Sequence, residues 1–226
     1  MYRTTRAKAR ASGRRDSGSV PLATRAYEAI KRDITTARLA PGSLIGEEEL
    51  ARRLGMSRTP VREAVTRLEH ENLVRRIPQR GVLVAKPSIA DVIDICEVRA
   101  LLECHAARVA AAKLHESDLS KFDEQFDALD VPDPTEDDVR RGTQLGRELH
   151  SLILDAAGNR QLSAIMSRLM DVINPLPFTL TPDRYRDTLN EHRAIFWALR
   201  ARDGEAAAVA MGRHIDAVRQ NLHFLR

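Results

Sequence analysis

Residues 41–88 read PGSLIGEEELARRLGMSRTPVREAVTRLEHENLVRRIPQRGVLVAKPS, and this stretch decides the fold of the N-terminal part of the chain. Its pattern predicts a short helix over 47–54 and a longer helix over about 57–71, separated by a tight turn at Gly55. Three glutamates suit the start of the first helix, and Pro60 suits the first turn of the second. A short helix, a tight turn and a second helix form a helix-turn-helix.

The neighbouring segments extend this motif on both sides. Two β-rich runs, 74–77 and 82–84, flank a turn that contains Gly81 and predict a β-hairpin. Upstream, apolar residues at helical spacing predict another helix over about 21–37. The sequence Lys-Pro-Ser at 86–88 has the composition of a linker.

The second helix of the motif presents two different faces. Val61, Val65 and Leu68 form an apolar stripe that we expect to be buried, whereas Arg58 and Arg62 lie on another face together with Thr66 and Glu69. An α-helix fits the major groove of DNA, and an arginine can pair with guanine O6 and N7. This pattern indicates a recognition helix, although a small helical domain with a solvated arginine face would give the same pattern.

Charge is distributed unevenly along the 226 residues, whose net charge is +4. Residues 1–86 contain 19 basic and 9 acidic side chains, whereas the remainder contains 17 basic and 23 acidic ones. A basic front and an acidic back indicate that only the front meets a polyanion, unless the asymmetry is merely one of solvated surface. Residues 1–19 are basic and nearly free of large apolar side chains, so we expect a disordered tail, which could also follow DNA phosphates.

The remaining bulk features exclude several classes of protein. No apolar run approaches the length of a membrane span and no signal peptide is evident, so we expect a cytoplasmic protein. Cys96 and Cys104 lie on one predicted helix, about 12 Å apart along its axis, too far to bridge each other. We therefore expect buried, reduced thiols.

The front of the chain resembles the winged helix-turn-helix of GntR-type bacterial regulators over about residues 21–87, with SRTPVREA as the most specific signature. The resemblance implies DNA contacts at Arg58, Thr59 and Arg62, and at the wing tip formed by Arg80 and Gly81. Ser57, which precedes them, is a further candidate DNA contact. The family often has an arginine where this chain has Glu48, so operator preference is expected to differ from that of its relatives.

The back of the chain resembles the FCD effector domain of the FadR-like branch, in its shorter, six-helix, VanR-like form. The resemblance rests on VRALLE (98–103), ELHSLILDAAGN (148–159), NEHRAIFWALRARD (190–203) and a last helix that contains His214. The expected fold is therefore mainly α: a winged helix-turn-helix with a small hairpin wing, followed by an all-α antiparallel helical bundle. The expected domains are a tail (1–19), a DNA-binding domain (20–86) and an effector-binding and dimerisation domain (87–226).

Metal-binding members of that branch use one aspartate and three histidines, and the resemblance places His150, His192 and His214 at the histidine positions. The aspartate is replaced by Gly146, which would weaken a site for Zn or Ni. The histidines could equally be metal-free remnants or direct ligand contacts. Arg99 is a candidate to bind an effector carboxylate, or a structural ion-pair partner of Glu103 four residues on.

These features predict a homodimeric transcription regulator, more a repressor than an activator, that binds double-stranded operator DNA and a small-molecule effector such as an organic acid. One alternative is a metal-dependent enzyme that uses the three histidines, which we disfavour because Gly146 removes the nearest carboxylate that could act as a base. The other is an architectural protein that binds any duplex.

Overall fold

A computed structural model describes residues 20–176 and 181–222, with the side chains of residues 182 and 183 excepted. The predicted basic tail, 1–19, lies outside the described residues. In the described part, the buried apolar side chains form two clusters, one built from the winged helix-turn-helix and one from the helices that follow. No helix in this part is long and apolar enough to cross a membrane.

The N-terminal unit contains three helices and three short strands. In chain order they are α1 (Leu22–Thr35), β1 (Leu44–Ile45), α2 (Glu47–Leu54), α3 (Arg58–His70), β2 (Val74–Ile77) and β3 (Gly81–Val84). The predicted bounds of α2 are confirmed, and Gly55 ends that helix in the left-handed conformation that glycine adopts without strain. The predicted apolar stripe of α3 is also confirmed, since Val61, Val65 and Leu68 are fully buried.

The sheet contains one strand that the sequence pattern did not predict. Its order is β1-β3-β2 and both pairings are antiparallel, with Ile45 opposite Val82 and Leu44 opposite Leu83. A Cβ atom on Gly81 would lie 2.5 Å from the carbonyl oxygen of Ile45, so only glycine permits β1 to pair at this level. Two residues are too few to show a strand period, which is why β1 escaped the prediction.

The C-terminal unit contains six helices among the described residues, as predicted. They are α4 (Ile89–Ala111), α5 (Glu116–Leu129), α6 (Glu136–Ala157), α7 (Arg160–Ile173), α8 (Pro182–Arg200) and α9 (Gly204–Gln220). Ser88, at the end of the predicted linker, caps α4 and exchanges hydrogen bonds with Asp91 in a capping box. Helix α4 packs against α6 and α9, and α8 packs against both of these helices as well.

Apolar packing around three phenylalanines closes one side of this bundle. The rings of Phe122 and Phe126 on α5 and Phe196 on α8 pack against one another at tilted angles, with centroids 5.5–6.4 Å apart. Both cysteines are free thiols: Cys96 is buried as predicted, whereas Cys104 is only half-buried, which corrects that part of the prediction.

The two units touch through α1 and α7. Lys31 Nζ of α1 lies 2.6 Å from Asp171 Oδ2 of α7 and 3.1 Å from Glu71 Oε2, and all three side chains are largely shielded from water. Glu71 also accepts a hydrogen bond from the hydroxyl of Tyr27, and Val172 packs against the N-terminal core. Burial opposes the charge of Lys31, but its bonds to Asp171, Tyr27 and Glu71 prevail and raise its pKa.

We expect Asp171→Asn to loosen this contact, because it leaves Lys31 partly unpaired in a shielded position. The loss should be about 1 to 3 kcal/mol. Hydrogen exchange of α1 should then accelerate, while exchange in the core of the bundle stays unchanged. Asp33→Asn is the matched control, since that carboxylate lies two residues from Lys31 on α1 but pairs with Arg38. Equal effects of the two substitutions would contradict a specific role for Asp171.

Candidate functional site

The first turns of α3 carry the predicted DNA-contacting side chains to the surface. Arg58 and Arg62 have side chains that are 63% and 70% exposed, on the side of α3 away from its buried stripe. Thr59 is exposed between them, and Ser57 stands at the N-cap position without a side-chain cap hydrogen bond. The buried stripe fixes the helix from behind, so both guanidinium groups are presented by a rigid support.

The two arginines are paired with glutamates from the first turn of α2. Arg58 Nη2 lies 2.7 Å from Glu48 Oε1, and Arg62 Nε lies 3.5 Å from Glu47 Oε2. Exposed ion pairs of this kind contribute at most about 1 kcal/mol, so a DNA phosphate or base edge can displace them. Glu48 stands where the family often has an arginine. It therefore affects the recognition helix by forming an ion pair with Arg58.

Sequence reasoning missed Arg76, which ties the wing to α3. Its Nη2 donates to the carbonyl oxygen of Arg62 at 2.7 Å and to Thr66 Oγ1 at 2.8 Å, and its other nitrogens face Glu47 and Glu69. Thr66 and Glu69, which were predicted to lie on the outward face, thus serve this junction. Only the folded hairpin brings β2 to α3, so no local signal in the sequence could have revealed it.

The wing tip has one exposed cation and one structural glycine. Arg80 is exposed in the turn between β2 and β3 and can approach a phosphate. Gly81 begins β3 at a φ of 119° and packs tightly against the backbone of β1. This structural role is enough to explain why the position is a glycine.

The three predicted histidines come together inside the C-terminal bundle. His150 is on α6, His192 on α8 and His214 on α9, and their ring centroids lie 4.4–5.4 Å apart. The Nε2 atoms of His150 and His192 are separated by 3.3 Å, and each ring offers one nitrogen within 4.8 Å of the others. His192 and His214 are buried and His150 is half-buried. We name this group the three-histidine cluster.

Gly146 is what allows His192 to enter the cluster. A Cβ atom at position 146 would lie 2.4 Å from His192 Cε1 and 2.9 Å from both ring nitrogens. The imidazole therefore occupies the volume that any larger residue at 146 would need. The absent aspartate and the observed position of His192 are two aspects of one packing arrangement.

Two glutamates lie directly beside the histidines, which corrects the argument that no carboxylate remains near them. Glu103 contacts His150 Nδ1 and accepts from Arg99 Nε at 2.7 Å. Glu191 Oε2 lies 2.8 Å from His214 Nδ1. Sequence spacing linked Glu103 only to Arg99, and Glu191 carried no signal beyond its place next to His192.

Burial sets the charge states of this cluster. Desolvation, and then repulsion from neighbouring imidazoles, lowers the pKa of His192 and His214 well below the ordinary histidine value, so both are neutral at pH 7. Burial would raise the pKa of Glu103, but His150 and Arg99 outweigh it and hold that pKa well below its usual range. Neutral imidazoles are the form that binds metal ions.

A cavity of about 530 Å³ opens onto the cluster. Its apolar walls come mainly from α6 and α7, through Leu154, Met166 and Met170, while Arg99 and Arg147 contribute positive charge. The predicted ion pair between Arg99 and Glu103 is present, so the guanidinium lines the cavity but is already engaged on one side. An apolar pocket with a few convergent polar groups is typical of a small-molecule site.

We expect Gly146→Ala to destabilise the protein by about 1 to 3 kcal/mol, because the added methyl group collides with His192 in a packed interior. Gly212→Ala is the matched control, since a Cβ there would lie 3.5 Å from Cys104 Sγ, an ordinary contact. Alanine has a higher helix propensity than glycine at both positions. In denaturant unfolding, Gly212→Ala should therefore raise the free energy of unfolding, whereas Gly146→Ala should lower it. Equal stabilisation by both would show that His192 does not require Gly146.

Comparison with known proteins agrees with this architecture. The model of the gntR family of bacterial regulatory proteins matches residues 22–84, and the FCD domain model matches residues 94–217. The HTH-type transcriptional repressor RspR of Escherichia coli (strain K12) is 30% identical over 217 residues, covering 91% of each chain. The uncharacterized HTH-type regulator YdhC of Bacillus subtilis (strain 168) is 29% identical over 189 residues, covering 80% of this chain and 82% of YdhC.

Solved structures share the fold. E. coli McbR/YncC has a TM-score of 0.73 at 24% identity, covering 92% of this chain and 98% of its own. A GntR regulator from Rhodococcus sp. RHA1 has a TM-score of 0.70 at 24% identity, covering 90% of this chain and 98% of its own. The chain therefore belongs to the GntR family of bacterial transcription regulators, with a DNA-binding winged helix-turn-helix and an FCD domain, and is not an enzyme.

Proposed function

We propose that the protein is a homodimeric repressor whose α3 reads one half of a pseudo-palindromic operator. The observation that carries this proposal is the rigid, outward presentation of Arg58 and Arg62 on a helix buried along its other face. Ser57, Thr59 and the wing-tip residues Arg80 and Gly81 would add contacts to the backbone or minor groove.

The bundle would provide the dimer interface and the effector site. Leu101 and Val98 are exposed one turn apart on α4, at 76% and 40%, and would contribute apolar contacts to that interface. We place the domain boundary at 86/87, between the two buried clusters. A regulator of bacterial operators would work in the cytoplasm, and the basic tail at 1–19 would add non-specific DNA affinity.

The three-histidine cluster would hold one divalent metal ion, Zn or Ni, through His150, His192 and His214. Two nitrogens that bind one Zn at tetrahedral angles lie about 3.3 to 3.4 Å apart, which is the spacing of His150 and His192 here. The ligand nitrogen of His214 lies within 4.8 Å of those of His150 and His192, so a side-chain adjustment would bring it to the same ion. With three protein ligands, such an ion would leave a position open for an oxygen of the effector.

The effector would be a small organic acid with an apolar body. Arg147 and the free side of Arg99 would receive its carboxylate, and Met166 and Met170 would contact its apolar part. Helix α7 carries these methionines towards the cavity, and its Asp171 and Val172 touch the DNA-binding unit. Effector binding would therefore bias the position of that unit through α7.

We expect Arg62→Ala to weaken specific operator binding by about 5- to 150-fold, the cost of about 1 to 3 kcal/mol for one base-reading arginine. Fluorescence anisotropy with operator and scrambled duplexes would measure the change. Arg38→Ala is the matched control, because its side chain is equally exposed at 70% and also pairs with one carboxylate.

The control should reduce affinity for both duplexes slightly and leave their ratio intact. An architectural protein that binds any duplex would lose the same small factor at either arginine. An unchanged operator preference in Arg62→Ala would therefore contradict the assignment of α3 as the reading helix.

A further inference from the structure

Two of the three clustered histidines are held in the same way, each by a glutamate that is itself held by an arginine. The first Arg–Glu–His triad runs from Arg99 and Glu103 on α4 to His150 on α6. In the second, Arg184 Nη1 and Nη2 lie 2.6 and 3.1 Å from the two carboxylate oxygens of Glu191 on α8, and Glu191 Oε2 lies 2.8 Å from His214 of α9. The two triads converge on one centre from four helices.

Each carboxylate determines which ring nitrogen of its histidine carries the proton. An ionised carboxylate can only accept hydrogen bonds, so a histidine that contacts it through Nδ1 must carry its proton there. The Nε2 atom of a neutral ring then keeps its lone pair free. In His150 this atom faces His192 Nε2 at 3.3 Å, which is the interior of the cluster.

The arginines make this arrangement possible inside the bundle. Glu103 is 1% exposed, and a buried carboxylate without a partner would be neutralised by taking up a proton. Arg99, itself buried, donates to Glu103 at 2.7 Å and supplies the opposite charge, and Arg184 forms a bidentate pair with the half-buried Glu191. Burying charge costs free energy, and Arg99, Glu103 and Arg184 are all buried beside this one cluster, so their presence needs a reason beyond stability.

We propose that Glu103 and Glu191 are positioning residues of the three-histidine cluster, which fix His150 and His214 as Nδ1–H tautomers with both Nε2 lone pairs directed at a shared cation. The inference rests on the proposed metal-binding function and adds to it the residues that prepare the ligands. It also assigns Arg99 first to Glu103 and only second to an effector. Carboxylates in this position raise the basicity of a histidine ligand and fix its orientation.

The first test is the tautomeric state of the metal-free protein. Long-range proton–nitrogen correlation spectra of histidine-labelled protein at pH 8 should show His150 and His214 protonated at Nδ1. Glu103→Gln and Glu191→Gln should each convert the contacted ring to a mixture, because an amide can both donate and accept. Nε2–H tautomers at these two rings in the unaltered protein would overturn the proposal.

The second test is affinity for Zn, measured by competition with a chelator. Each Glu→Gln variant should bind Zn about 10- to 100-fold more weakly. Glu205→Gln is the matched control, since Glu205 forms a two-point pair with Arg108 on the same bundle and contacts no histidine in the described structure. Its Zn affinity should stay within about twofold, because its charge lies outside the cluster.

The two proposals fail in different ways. Absence of Zn binding together with Nδ1–H tautomers would refute the metal site while supporting the positioning role, which would then serve a directly hydrogen-bonded ligand. Zn binding that Glu103→Gln, Glu191→Gln and Glu205→Gln weaken equally would refute the positioning role while supporting the metal site. Circular dichroism of each variant verifies that the fold is retained.

Discussion

Desolvation of polar side chains is the constraint on which the arrangement of the C-terminal bundle depends. In the described residues, the buried polar or charged side chains are Arg99, Glu103, Arg184, His192 and His214. Each costs free energy unless it is paired, and all five belong to the three-histidine cluster or to the two triads that support it. One polar network therefore links four helices of the bundle, α4, α6, α8 and α9, within the apolar core, and this network borders the cavity.

A series of contacting helices links the cavity to the DNA-binding unit. Helix α7 presents Met166 and Met170 to the cavity, while Asp171 reaches Lys31 of α1 in a shielded ion pair. Helix α1 in turn packs on α3, the helix with the exposed arginines. A small displacement of α7 thus has a direct mechanical route of packed helices to the recognition surface.

Local signals in the sequence predicted the local structure well, and long-range contacts explain what they missed. The bounds of α2, the turn at Gly55 and the buried stripe of α3 follow from periodicity and capping within a few residues. Family resemblance brought the three histidines together correctly. Strand β1 and the role of Arg76 depend on contacts that the folded hairpin makes with distant residues. The role of Glu191 depends on how α8 packs against α9. Residue spacing along the chain could therefore not predict any of the three.

The central claim is that ligand binding at the three-histidine cluster controls the operator affinity of the DNA-binding unit, which it reaches through α7 and α1. The most direct measurement is operator affinity of metal-free protein, by anisotropy, as Zn is added with and without a candidate carboxylate. The account predicts a change of about 5- to 150-fold in the unaltered protein and none in His214→Ala. Stoichiometric Zn binding that leaves operator affinity unchanged under both conditions would contradict it.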